Sequence, residues 1–138
     1  MMEAFQVHIL AADKNFYEGP CVSLTIPTND GELGILAHHS IMIAAVQPGT
    51  LRYQVPGEEP CRAAISPGMV KVEHNDVLVL VDSVERPEEI DAARAQRELD
   101  EAREVLLQQR SRQEHRIAEA TMARAMNRLR VKKTGIGR

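Results

Sequence analysis

The hydrophobic pattern of this chain changes period once, at Arg86-Pro87-Glu88-Glu89, and that change limits what the chain can become. Before it, apolar residues alternate with polar ones. Phe5, Val7 and Ile9 share one face of an extended segment, as do Val22, Leu24 and Ile26, then Leu51, Tyr53 and Val55, then Cys61, Ala63 and Ile65, then Val70 and Val72. A period of two is the signature of a strand with one buried face. Val77 to Val81 is an unbroken apolar run and predicts a strand buried on both faces. Between these segments fall turn residues: Asp13-Lys14-Asn15, Asn29-Asp30-Gly31, Pro48-Gly49, Pro56-Gly57, Pro67-Gly68 and His74-Asn75-Asp76. Short, evenly spaced strands with tight turns predict a β-sandwich or small barrel able to bury a modest core.

After the change the pattern is helical. Pro suits the first position of a helix because its missing N–H would be unpaired there anyway. Glu88, Glu89 and Asp91 place negative charge at the positive end of the helix dipole. From Pro87 to about Gln109 there is no Gly and no further Pro, and Ala, Glu, Arg, Leu and Gln dominate. Ser111-Arg112-Gln113 reads as a turn, with a second helix from about Glu114 to Val131 and glycines at 135 and 137 beyond it. The expected class is therefore α+β, with a β module over residues 1–86 and a helical hairpin over residues 87–138. The apolar stripes of the helices are thin: Ile90, Leu99, Val105 and Leu106 on the first, Ile117, Met122, Met126 and Leu129 on the second. A hairpin so sparsely apolar is marginal alone and needs a surface to pack on.

Charge is unevenly spread. Residues 110–138 carry nine Lys or Arg against two acids, a net +7, while residues 1–109 carry −10. A basic end of this kind meets an acidic partner, whether a protein, a nucleic acid or a phosphorylated ligand. Aromatics are limited to Phe5, Phe16, Tyr17 and Tyr53, which argues against modules that stack bases on rings. No apolar run is long enough to span a bilayer, the first ten residues lack a secretory signal pattern, and Cys21 and Cys61 form no CxxC. The expectation is a reducing, cytosolic setting in which both cysteines are free thiols.

Few constellations suggest chemistry. His38-His39, with His8 and His74 expected on other strands, raises a metal site. Neighbours in a strand face opposite ways, so the pair cannot converge on one ion from regular β structure; loop or edge histidines are expected instead of a metal site. There is no nucleophile elbow, no Gly-rich phosphate loop and no HExxH, so no catalytic residues are expected. Arg124 and Arg128 lie one helical turn apart and can grip a polyanion or a carboxylate-rich loop. Asp91 and Arg94, three apart, read first as an intrahelical salt bridge.

Several of these segments in order have a familiar spacing. They are Gly31-Glu32-Leu33-Gly34-Ile35-Leu36, His39, Pro48-Gly49, Ser66, Gly68, Val77-Leu78-Val79-Leu80, Glu85-Arg86, Ile90-Asp91-Ala92-Ala93-Arg94-Ala95 and Arg124-Ala125-Met126-Asn127-Arg128-Leu129. Together, over nearly the whole length, they resemble the ε subunit of bacterial F-type ATP synthases, called δ in mitochondria. The resemblance implies a ten-stranded β-sandwich followed by an antiparallel two-helix hairpin. It implies a non-catalytic rotor subunit that binds the γ subunit and the ring of c subunits, couples ion flow to ATP synthesis, and sits on the cytoplasmic face of the bacterial inner membrane as part of the complex. It further implies that the helices lie folded or extend toward the catalytic α and β subunits, inhibiting ATP hydrolysis when extended. Arg116, Arg124, Arg128, Arg130, Lys132 and Lys133 would then face an acidic loop of β.

In some bacterial relatives the folded hairpin binds ATP through I/L-D-x-x-R-A and arginines of the second helix. The matching positions here are Glu85, Ile90, Asp91, Arg94, Ala95, Arg124 and Arg128. No cofactor is required, and ATP would be a weak regulatory ligand, because Glu101 stands where nucleotide-binding relatives carry a further Arg. Two loops depart from the family: Ala37-His38-His39-Ser40-Ile41 in place of Pro-Gly-His-Ala-Pro, and Ser66-Pro67-Gly68 in place of Ser-Gly-Gly. The coupling ion, proton or sodium, stays open. From another class, the alternative is a small nucleic-acid-binding protein that uses the basic tail.

Overall fold

The alternating half of the chain forms ten strands: β1 (Phe5–Ala11), β2 (Asn15–Cys21), β3 (Ser23–Thr28), β4 (Gly31–Ile35), β5 (Met42–Val46), β6 (Gly49–Gln54), β7 (Cys61–Ile65), β8 (Gly68–Glu73), β9 (Asp76–Val81) and β10 (Val84–Glu85). The computed structural model describes residues 3–108 and 111–135, with side chains to residue 133. The chain divides into two compact units, residues 1–85 and 86–138.

In the first unit the strands hydrogen-bond in the order β10-β7-β6-β3-β5-β8-β9-β1-β2, with β4 on β3. The path turns at β3, where Ser23–Thr25 pair with β6 while Thr28 pairs with Val46 of β5. Strands from both ends of the path supply one buried cluster, including Val7 and Ile9 of β1, Leu24 and Ile26 of β3, Leu51 of β6 and Val79 of β9. The path is thus folded into a sandwich whose inward faces meet. Each of these fully buried aliphatic side chains contributes about 1.5–3 kcal/mol relative to exposure. Pairing is antiparallel except between β1 and β9, which run parallel and bring the first strand beside the ninth.

The structure departs from the expected strand pattern in three places. Val77–Val81 is not buried on both faces: Val77, Val79 and Val81 are buried, but Leu80 is 38% exposed. β9 is flanked by β8 and β1, so its backbone is satisfied on both edges while one face of the sheet stays open. Strands β2, β4, β5 and β10 lack a clear alternating signal in the sequence, and Asn15 opens β2 rather than closing a turn. His74 and Asn75, both with positive φ (49° and 61°), form the two-residue loop joining β8 to β9. Two successive left-handed residues match the twist of a hairpin, which fits their place between paired Glu73 and Asp76.

His8 on β1 ties three strands. Its Nδ1 lies 2.7 Å from Glu18 Oε2 on β2 and its Nε2 lies 3.0 Å from Asp76 Oδ1 on β9. Carboxylates only accept, so both ring nitrogens donate and the imidazolium is favoured. The hydrogen bond to Glu18 raises the His8 pKa most, with Asp76 adding to it against the opposing effect of burial. A raised folded pKa stabilises the fold below the unfolded value of about 6.5, and that gain is lost as pH rises through the raised value. The stability difference between wild type and His8→Gln, from urea melts at about pH 6 and about pH 8.5, is expected to shrink at the higher pH. A pH-independent difference would remove the charge from this account.

In the second unit Pro87 opens only a 3-10 turn (Pro87–Glu89). Ile90 is extended (φ −79°, ψ 124°), and the first α-helix, α1, runs Ala92–Leu107. The helix starts there because the Asp91 side chain accepts from the backbone N–H of Arg94 at 3.1 Å, supplying the cap that Pro87 cannot. Arg86 N–H donates to Glu89 Oε1 at 2.8 Å, closing the short turn before it. The second helix, α2, spans Arg112–Gly135, so Arg112 and Gln113 are helical and not part of the turn. Ser111 caps it, its Oγ accepting from the N–H of Glu114 at 3.2 Å. Gln109 and Gly137 lie outside the described residues. The two helices are antiparallel: Arg128 near the end of α2 reaches Glu98 on α1, and Lys132 Nζ donates to the carbonyl of Pro87 at 3.0 Å.

Burial along the helices falls largely on alanines. Ala95, Leu99 and Ala102 are buried on α1, and Ala118, Ala125, Asn127 and Val131 on α2, while Ile117 is 58% and Met126 40% exposed. The expected stripe of large residues is therefore only partly inward. Small side chains at these positions let neighbouring backbones approach closely.

Candidate functional site

Of the sequence positions singled out for ligand binding, the hairpin brings Arg94 and Arg128 together. Their guanidiniums meet at one carboxylate that the sequence reading passed over. Arg94 Nε donates to Glu98 Oε1 at 3.1 Å, and Arg128 Nη1 to Glu98 Oε2 at 3.4 Å. Arg94 and Glu98 are one turn apart on α1, which is the spacing at which side chains on a helix meet, and that was the available signal. The Arg94 side chain is 72% exposed, whereas those of Glu98 and Arg128 are 28% and 27% exposed. The site is thus open at Arg94 and partly desolvated at Glu98–Arg128.

The other positions divide. Asp91 binds the backbone N–H of Arg94 as a helix cap, so its role differs from the side-chain salt bridge read from spacing. Ile90 and Ala95 are buried. Arg124 is exposed and its Nη2 donates to Thr121 Oγ1 at 3.4 Å, one turn back on the same helix. Glu85 lies on β10, paired with Ala64 in the sandwich unit. Glu101, the expected obstacle to nucleotide, lines a groove of about 360 Å³ between α1 and α2 with Glu98 and Glu114 around apolar Val105 and Ile117.

The basic residues of α2 do not form one stripe. At about 100° per residue, Arg124, Arg128 and Lys132 share one side, while Arg116, Arg130 and Lys133 project elsewhere. Arg128 and Lys132 are engaged within the hairpin. Arg116, Arg124, Arg130 and Lys133 are exposed and present positive charge to solvent.

His38, His39 and His74 lie in loops and turns, the placement the sequence favours over a metal site. His38 has φ 65°; its Nε2 meets Glu3 and its backbone N–H donates to Asn75 Oδ1. His74 lies in the β8–β9 turn. Among the described residues, no three His, Cys, Asp or Glu side chains converge as metal ligands.

The sandwich carries a second feature that sequence reasoning missed. Leu36, Ile41 and Ile43 are 52%, 64% and 68% exposed, on and beside the segment joining β4 to β5. Ile41 and Ile43 alternate outward, the reverse of the burial expected for isoleucine in a strand. The signal was present in the departing loop Ala37-His38-His39-Ser40-Ile41, which ends on an isoleucine. Exposed large apolar side chains, where they join into one patch, mark protein-binding surfaces, which makes this segment a candidate.

A β-sandwich bearing exposed large apolar side chains, followed by a charged helical hairpin in which Arg94 and Arg128 share one carboxylate, is an arrangement suited to engaging other proteins. Residues 4–87 match the family of the ATP synthase delta/epsilon chain β-sandwich domain, and residues 88–133 match its long α-helix domain. The chain is 37% identical over 132 residues to the ATP synthase epsilon chain of Caldanaerobacter subterraneus subsp. tengcongensis, covering 95% of each. It is 34% identical to that of Ruminiclostridium cellulolyticum, covering 93% of this chain and 95% of the relative. Among solved structures it superposes, with TM-score 0.79 and 25% identity over 92% of this chain and 81% of the other, on a chain of the Euglena gracilis mitochondrial ATP synthase OSCP/F1/c-ring structure in rotational state 1. The chain belongs to the delta/epsilon chain family of ATP synthase, and the curated relatives it matches are epsilon chains. The nucleic-acid alternative has no support beside this.

Proposed function

We propose that this chain is a non-catalytic rotor subunit whose sandwich binds the γ subunit and the c-ring and whose hairpin restrains ATP hydrolysis at the α and β subunits. The observation that carries the first half is the exposed Leu36, Ile41 and Ile43 beside a family-typical sandwich. The second half rests on the exposed cations of α2, which suit an acidic protein loop. No described helix is long and apolar enough to cross a membrane. Contact with the membrane through the rest of the complex, on the cytoplasmic face of a bacterial inner membrane, is consistent with this reading. Affinity capture of the full-length tagged chain tests it: γ, c, α and β subunits are the expected co-purifying proteins. Recovery of nucleic acid without them would overturn it.

A second reading is favoured by Arg94 and Arg128 meeting on one carboxylate: the hairpin binds ATP weakly, as a regulatory ligand, in its folded form. Two guanidiniums from different helices offer forked donors suited to phosphate oxygens.

A further inference from the structure

We propose that Glu98 is an internal competitor that occupies the paired arginines of the hairpin and sets how tightly a phosphate-bearing ligand binds there. The proposal rests on the weak-ATP reading. Glu98 divides its two oxygens between two helices, Oε1 to Arg94 Nε and Oε2 to Arg128 Nη1. A phosphate chain offers the same acceptors with more charge, and it can use these guanidiniums only after the carboxylate leaves or while it repels the incoming anion.

The surroundings make that competition unequal along the site. Glu98 and Arg128 are about one-quarter exposed, so their attraction is less screened than that of a surface pair. Arg94 is largely exposed and is the side from which a ligand can enter. On the opposite side Glu101 and Glu114 line the same groove as Glu98, and their charge turns anions away from it. Glu101 contributes this general repulsion, whereas Glu98 holds the arginines directly. The obstacle to nucleotide binding is therefore Glu98 more than Glu101.

The test is calorimetric titration of the full-length chain with ATP and, separately, with inorganic tripolyphosphate. Wild type, E98Q, E98A, E101Q and the double variant E98Q/R94A are compared, with circular-dichroism melts confirming that each is folded. Glu98 is only about one-quarter exposed, so E98A serves if E98Q melts early. Removing a charge-assisted competitor is expected to tighten binding of both probes by about tenfold. E101Q is expected to change affinity by less, and R94A is expected to abolish the gain of E98Q. If wild type binds ATP and neither E98Q nor E98A binds it more tightly, the competitor role fails and the nucleotide reading stands. If neither probe binds any folded variant, both fail. A gain for ATP alone, with tripolyphosphate unchanged, would overturn the phosphate chemistry assigned to the pair.

Discussion

Complexes carrying a chain that ends at Arg86 are expected to hydrolyse ATP on the order of tenfold faster than complexes carrying the full chain, with assembly intact. The cations of α2 supply the reason for the size. Exposed ion pairs contribute about 0.2–1 kcal/mol each. A few of them acting on one acidic surface reach the ~1.4 kcal/mol that corresponds to a factor of ten. Assembly is expected to survive because the buried cluster of the sandwich draws on residues from Phe5 to Val84 and on none beyond. The exposed Leu36, Ile41 and Ile43 also remain in the shortened chain. The measurement is the hydrolysis rate of purified complexes matched for subunit content, taken at low and high salt. The gap between the two chains should narrow as salt rises, since screening weakens the same ion pairs. Equal rates at low salt would remove the inhibitory role. Loss of assembly would show that the hairpin is needed to build the complex.

Replacing Gly68 with Ala is expected to be the most damaging single methyl in the sandwich. A Cβ there would lie 2.0 Å from the carbonyl oxygen of Leu80 and 2.7 Å from Cα of Val81. Both are backbone atoms of β9, so no side chain can swing aside, and β8 must separate from β9 or bend. Gly68 also pairs with Val46 of β5, which fixes the strand from its other edge. Overpacking costs about 1–3 kcal/mol, and this overlap with rigid backbone places the loss at about 3 kcal/mol or more. Gly34 is the control. A Cβ at that position meets nothing within 4 Å, and its φ lies outside the left-handed range. Gly34→Ala is expected to be neutral or stabilising by up to about 1 kcal/mol, through a less flexible unfolded chain. Urea melts of the two variants beside wild type decide the matter: similar stabilities for both would refute the close approach of β8 to β9.

The change of period at Arg86-Pro87 was readable, and so were the inward faces of β1, β3, β6 and β8, because alternation records burial directly. Four strands were not. β4 and β2 contain Gly or Pro, which read as turns, and β5 points Ile43 to solvent, against the usual sense of an apolar residue. Their place is set by partners: β4 by β3, β2 by β1, β5 by β8. The helix start was misplaced by four to five residues because Pro87 is a permissive signal, whereas the Asp91 cap is an actual bond. In the candidate site, resemblance directed attention to Asp91, Arg94 and Glu101. Glu98, which accepts from both arginines, is reached by a contact from α2, and spacing along α1 could supply only half of that.

The parallel pairing of β1 with β9 has a consequence for biosynthesis. β1 leaves the ribosome first, but its neighbour β9 is among the last strands of the unit to be made. Until then β1 has only β2 beside it, an isolated hairpin that is marginal in water. The sandwich therefore cannot close progressively from its N-terminus. It must wait for a long-range pairing, and the loop entropy of that step makes it slow. During the wait the apolar face of β1 is exposed to other nascent chains, so this strand is the place where a chaperone would be needed most.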